Sequence, residues 1–214
     1  DFKELTYIDF GSGFKVGYKP GESATDIESF GNKMSTRFKE FCLEYGRDLK
    51  LIFEPGKFLV SEAGVFITKV NSTKTTPSTV FAQVNSGFNH FPRPMMYDAY
   101  HHIENISNPD GEQRLYTIVG YVCETDTFGY DRKLNEVRNG DLLAFNNAGA
   151  YCSSMSSQYN SRVRPAEVLI EGDQAYLIRE RETMDDLLRG TIEHGLYHDI
   201  VTQGKEEAEI AVPS

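Results

Sequence analysis

The hydrophobic pattern of this chain changes period once, near Phe58, and that change limits the folds open to it. Before Phe58 the signals run strand, glycine turn, helix, strand. Leu5 to Phe10 is a short apolar run that enters Gly11-Ser12-Gly13. Ile27, Phe30, Met34, Phe38, Phe41 and Tyr45 then recur at helical spacing, with Cys42 as a small apolar member of the same face. Thr25-Asp26-Ile27-Glu28 has the form of a capping box, and Gly46 suits the stop. The pattern predicts a helix between them whose apolar face packs as core. Leu49 to Phe53 is the next strand, and it ends at Glu54 before a Pro-Gly turn.

After Phe58 the period is two. Strands are expected over 64–70, 79–84, 114–119, 141–145, 166–170 and 175–178, with Glu171 to Gln174 as a hairpin turn between the last two. The first segment has the repeat of a (β/α) barrel, whose chemistry sits at the C-terminal ends of the strands, but holds only about two such units. The second suits an all-β barrel or sandwich. Thr183 to Gly190 carries a cap at one end and glycine at the other, a short helix, and the acidic end of the chain reads as a frayed tail.

Charge and cysteine usage narrow the partners. Lys and Arg total 22 against 32 Asp and Glu, a net charge of -10, which disfavours nucleic acid. No apolar run approaches the roughly 20 residues of a membrane span, and no basic-then-apolar leader precedes Asp1. Cys42, Cys123 and Cys152 show neither pairing nor metal-site spacing, which fits a reducing, cytoplasmic setting. His194 and His198 could share a helix face, but no third ligand is evident and no metal site is expected. His101 and His102, being adjacent, read as structural or surface residues.

Several stretches carry candidate chemistry. Glycines at 11 and 13 let the backbone approach a ligand and turn its N–H groups toward an anion. Arg93 stands between Pro92 and Pro94, which restrict its backbone, as befits a side chain presenting a fork to a carboxylate. Cys123-Glu124 follows a strand and precedes a turn-rich segment; a thiol there can deliver a proton and a carboxylate can hold an ammonium. Asn147 to Arg162 sets Tyr151, Tyr159 and Arg162 among residues too small to build a core.

In this order, Asp9–Gly13, Phe53–Lys57, Arg93–Tyr97, Cys123–Asp126 and Asn147–Arg162 resemble the diaminopimelate decarboxylase family, pyridoxal 5'-phosphate (PLP) enzymes of the alanine-racemase-like, fold-type III group. The resemblance runs from Leu5 to about Arg189. It implies an α/β plus all-β chain: the last βα units of a (β/α)8 barrel in 1–58, a C-terminal β-barrel or sandwich domain in 59–190, and a tail in 191–214. It also implies an upstream half carrying the lysine that holds the cofactor. None of the eleven lysines here stands in such a stretch, so the chain is expected to be inactive alone.

Residue by residue, the resemblance implies that Gly11, Ser12, Gly13 and Gly56 hold the cofactor phosphate, with Ser12 where the family has a middle glycine. Glu54 would sit against the pyridine nitrogen and keep it protonated. Lys57 replaces a family arginine that touches cofactor and substrate, keeping the charge but losing the bidentate fork. Tyr151 would contact cofactor and substrate, and Arg93 and Tyr97 the distal end of the substrate. Cys123 would deliver a proton and Glu124 hold the distal amino group, both acting on the other subunit of a homodimer. With Arg93, Glu124 points to a substrate bearing a second amino-acid head, as meso-diaminopimelate does. The alternatives are another basic substrate, such as ornithine, arginine or a carboxylated polyamine, and a non-catalytic homologue that dimerises with a true enzyme.

Overall fold

The structure, a computed structural model, describes residues 2–123 and 126–192. It divides into two units, Asp1–Arg164 and Pro165–Ser214.

In the first unit, β1 (Tyr7–Asp9) pairs in parallel with β2 (Lys50–Ile52), Tyr7 opposite Lys50 and Asp9 opposite Ile52. Parallel neighbours need a long crossover, and α1 (Ile27–Tyr45) supplies it. The helix cap differs from expectation. The Asp26 carboxylate accepts from the Ser29 N–H at 3.0 Å, whereas the Thr25 hydroxyl oxygen is engaged by the Lys15 N–H at 2.7 Å. Gly46 ends the helix as expected, with φ 78 and its N–H returned to the Cys42 carbonyl at 3.0 Å. The apolar face is only half covered rather than core. Phe30, Met34, Phe38 and Cys42 are half-buried, and Ile27 and Phe41 are exposed. Two strands of three residues make a layer about 10 Å long, too short to cover a 19-residue helix. At its N-terminal end the face does find partners: Phe30 lies 5.3 Å from Phe14 and 5.5 Å from Phe53 between ring centroids.

The Pro-Gly turn expected after Glu54 instead opens α2 (Gly56–Val60), which runs into a 3₁₀ turn at Ser61–Ala63. Then come β3 (Phe66–Thr75), β4 (Val80–Val84), α3 (Arg93–Tyr97), β5 (Ile103–Asn105), β6 (Gln113–Val119), β7 (Thr127–Asn135) and β8 (Leu142–Phe145). The six strands form one sheet in the order β5-β8-β3-β4-β6-β7, parallel between β4 and β6 and antiparallel elsewhere. β3 changes partner midway, pairing with β8 over Phe66–Lys69 and with β4 over Val70–Thr75, with a register shift between Val70 and Ser72. A bulge there bends the strand and curls the sheet. The outer strands β5 and β7 come together, and Asn105 closes the seam by donating to the Glu136 carbonyl at 2.7 Å and to Asp141 Oδ2 at 2.9 Å. Burial would raise the Asp141 carboxyl, but hydrogen bonds from Asn105 and Arg138 outweigh it and leave the group below the ordinary carboxylate range. The result is a mixed, nearly closed sheet.

The alternation read from the sequence is visible in β3, where Phe66, Thr68 and Val70 are buried and Ile67 and Lys69 exposed. Phe66, Phe91, Phe128 and Phe145 meet inside the curl, with centroids of Phe128 and Phe145 5.1 Å apart. Each such ring contributes roughly 2–3 kcal/mol by leaving water.

In the second unit, β9 (Glu167–Glu171) and β10 (Gln174–Arg179) form the expected hairpin, turning at Gly172 with φ 58. The expected short helix is α4 (Met184–Leu188), capped reciprocally by Thr183 and Asp186. Residues 193–214, including His194, His198 and most of the expected tail, lie outside the described residues. Among the described residues, no helix is long and apolar enough to cross a membrane.

Candidate active site

The C-terminal ends of the parallel strands β1 and β2 lie side by side, and each leads into a stretch that holds candidate site residues. The Glu54 N–H donates to the Gly11 carbonyl at 2.6 Å, tying the glycine turn to the segment after β2 that bears the carboxylate. Gly11 and Gly13 take φ of 66 and 119, whereas Ser12 is not in the left-handed region, so a serine at the middle position costs no backbone strain. The Gly11 N–H is turned back onto the Asp9 carboxylate at 2.8 Å. The amides left to face a ligand are those of Ser12 and Gly13, which have no partner among the described residues. A Cβ on Gly11 would stand 3.9 Å from Glu54 Oε2, and a Cβ on Gly13 or Gly56 would meet nothing within 4 Å. Free amides and an exposed carboxylate thus border open space, an arrangement that fits a group with an anionic end and a basic ring nitrogen.

A second cluster surrounds Tyr18, which the sequence did not mark. The Lys57 ammonium lies 5.7 Å from the Tyr18 ring centre and the Arg93 guanidinium 5.8 Å from it. Arg93 also lies 5.6 Å from the ring centre of Tyr151. Neither cation has an acidic partner among the described residues. Three of the sequence candidates, Lys57, Arg93 and Tyr151, are therefore brought together, and Arg93 stands in the first turn of α3. Pro92 and Pro94 suit that position, since the first amides of a helix have no intrahelical acceptor. Tyr151 is held at φ 59, a conformation that costs a non-glycine residue about 1 kcal/mol or more. Asn147, at the head of the same stretch, donates to the Gly17 carbonyl at 2.8 Å and so fixes it beside the Tyr18 loop.

Behind Arg93 lies His101, buried, with its Nδ1 2.9 Å from the Asn146 carbonyl oxygen. Burial, and then the nearby charges of Arg93 and Arg132, push its pKa down to about 4 despite that hydrogen bond. Arg132 stacks 3.9 Å over Tyr100, and burial lowers its own pKa.

Cys123 is exposed in a bend after β6. The bend is built by the buried carboxylate of Asp126, which accepts from the Phe88 N–H at 2.7 Å and the Val122 N–H at 2.6 Å. Gly120 is required beside it, because a Cβ there would stand 2.2 Å from Asp126 Oδ2. Tyr121 donates to Asn89 Oδ1 at 3.0 Å, with the Arg162 guanidinium 4.7 Å from its ring centre. Tyr159 packs on Phe88 at 5.7 Å. Arg162 and Tyr159 thus brace the Cys123 bend, a role the sequence left open. Among the described residues, no hydrogen bond, ion pair or ring contact joins Cys123 to Glu54 or Arg93. Tyr97 is exposed at the end of α3, and Glu124 lies outside the described residues.

Two family profiles match the chain. The one described as "Pyridoxal-dependent decarboxylase, C-terminal sheet domain" matches residues 38–149, and "Pyridoxal-dependent decarboxylase, pyridoxal binding domain" matches residues 3–61. Diaminopimelate decarboxylase of Methanothermobacter thermautotrophicus is 46% identical over 190 residues, covering 87% of this chain and 44% of that protein. The enzyme of the same name from Escherichia coli K12 is 39% identical over 200 residues, covering 87% and 47%. The solved diaminopimelate decarboxylase of M. jannaschii in complex with L-lysine matches with a TM-score of 0.81 at 34% identity, covering 89% of this chain and 44% of that one. The chain spans less than half the length of these relatives.

Proposed function

We propose, on the premise that this chain belongs to the pyridoxal-dependent decarboxylase family, that the complete protein converts meso-2,6-diaminopimelate to L-lysine and CO2 in the cytoplasm. The observation that carries the substrate reading is Arg93, a guanidinium set between Tyr18 and Tyr151 with no acidic partner among the described residues. Diaminopimelate differs from ornithine and arginine in carrying a carboxylate at its far end, and a guanidinium without an acidic partner is the group that receives one. Lys57, on the other side of Tyr18, adds a second positive charge.

PLP, when bound, supplies the electron sink for the charge left as CO2 departs. The amides of Ser12 and Gly13, with Gly11 and Gly56 leaving room, would hold its phosphate, and Tyr151 would contact it. Glu54 would hold a proton at the ring nitrogen. Arg93, with Lys57 and Tyr97, would seat the distal carboxylate, and Glu124 the distal ammonium. Cys123 would deliver a proton to the substrate carbon of the partner subunit, for which its exposure argues. The shared site makes the working unit a homodimer. In this reading 1–58 belongs to a (β/α)8 barrel and 59–190 to a β-barrel or sandwich domain, supported by the parallel β1–β2 pair and the curled six-stranded sheet.

The test joins the chain to the pyridoxal-binding half that its relatives carry, adds PLP, and measures CO2 and product from meso-diaminopimelate, ornithine and arginine. Lysine from diaminopimelate alone is expected. Turnover confined to ornithine or arginine would overturn the reading of Arg93, and no turnover at all would make the protein a non-catalytic partner.

A further inference from the structure

We propose that His101 is a positioning residue that aims the Arg93 guanidinium at the substrate carboxylate. The inference rests on the role given to Arg93 above. A carbonyl oxygen only accepts, so the 2.9 Å contact between His101 Nδ1 and the Asn146 carbonyl places the imidazole proton on Nδ1. Nε2 is then a lone pair, and it accepts the Arg93 Nε–H at 3.3 Å. Of the five N–H groups of a guanidinium, this fastens the one on Nε and leaves the four on the two terminal nitrogens as a forward fork. The ring cannot swing away, being flanked edge-on by Phe91 at 4.5 Å and Tyr18 at 5.1 Å.

The arrangement works only while His101 is neutral, because an imidazolium would present a donor to a donor. The charged groups near the ring are Arg93 and Arg132, both cations, and Tyr18 is the titratable side chain on its other side. Buried beside two positive charges, the imidazole stays uncharged at physiological pH. Arg93 therefore keeps one orientation whatever the substrate does, and the distal carboxylate meets a fork already set.

Two substitutions in the complete enzyme separate positioning from core filling. His101→Asn can keep a donor toward the Asn146 carbonyl but removes the acceptor for Arg93. His101→Gln can place an acceptor where Nε2 stood. The expected result is a KM for diaminopimelate raised about tenfold in His101→Asn with kcat changed less than about twofold, and restored to within about threefold in His101→Gln. An unmoved KM in His101→Asn, or equal shifts in both variants, overturns the proposal. Failure of the substrate reading shows itself separately, as wild-type protein without diaminopimelate turnover or as Arg93→Ala with unchanged KM. In that event the ¹⁵N resonances of His101 decide. A neutral ring protonated at Nδ1, with an Nε2 shift that moves in Arg93→Ala, upholds the pairing; a ring protonated at Nε2, or a shift that stays put, removes it.

Discussion

Gly149 lies directly on the backbone of Gly64. A Cβ on Gly149 would stand 2.9 Å from the Gly64 nitrogen and 1.8 Å from the Val60 carbonyl oxygen, and one on Gly64 would stand 2.5 Å from the Gly149 Cα. The two segments are sewn together there, with the Ala148 N–H on the Gly64 carbonyl at 2.7 Å and the Gly149 N–H on the Ser61 carbonyl at 3.0 Å. This seam joins the end of the α2 segment, which bears Lys57, to the stretch that bears Tyr151.

Gly149→Ala is therefore expected to destabilise the protein by about 2–4 kcal/mol, since backbone on both sides must give way. Denaturant unfolding of the complete enzyme measures it. A loss under about 0.5 kcal/mol would mean that the seam opens freely, and Tyr151 would then lack its support.

Acid should weaken the fold through His101. Its folded pKa of about 4 lies below the ordinary 6.5, so the unfolded chain binds the proton more readily between those values. Stability is full above pH 6.5 and falls as pH drops toward 4, by roughly 3 kcal/mol from this group. Unfolding followed from pH 7 to pH 4 should show that slope in the wild type and lose it in His101→Asn. Equal slopes in both would remove His101 as the cause.

Lys57→Arg restores the fork expected from related sequences. Because Lys57 already lies over Tyr18, an arginine there should lower the KM for diaminopimelate by about threefold to tenfold at similar kcat. Steady-state kinetics of the two forms checks it; a raised KM would indicate that the space around Tyr18 is shaped for lysine.

Glu54→Gln keeps the shape at the end of β2 and removes the charge. The expected outcome is a kcat lowered about a hundredfold or more, with circular dichroism and PLP absorbance retained. Activity near wild type would place the ring-nitrogen partner elsewhere.

How much of this was legible follows the range of each interaction. Phe66, Thr68 and Val70 alternate strictly, and Gly46 and Gly172 sit where a left-handed residue is needed, so these elements were plain from local pattern. β7 was not: Gly129 interrupts it, and Asp131, at φ 47, breaks the alternation midway. The capping box misled because Thr25 has a competing partner in Lys15, ten residues away. In the site, Glu54, Arg93 and Tyr151 stood in recognisable stretches. Tyr18 stood in none, since its part comes from three neighbours, Lys57, Arg93 and His101, that only the fold collects. His101 reads from the sequence as a structural or surface residue, and its burial excludes the surface; its bond to Arg93 crosses α3 and leaves no spacing signal.

The strand order sets a timetable. β8 sits between β5 and β3, yet it is the last of the six strands in sequence, and among the described residues β5 has no other ladder partner. A chain growing from its N-terminus can pair β3 with β4 and β4 with β6 early, but the curl cannot complete until Phe145 has been made, some eighty residues after Phe66. Until then Phe66, Phe91 and Phe128 have no Phe145 to close over them. The nascent sheet is thus most exposed to wrong partners during that interval, and substitutions in β8 should cost more in soluble yield than their effect on the finished fold would suggest.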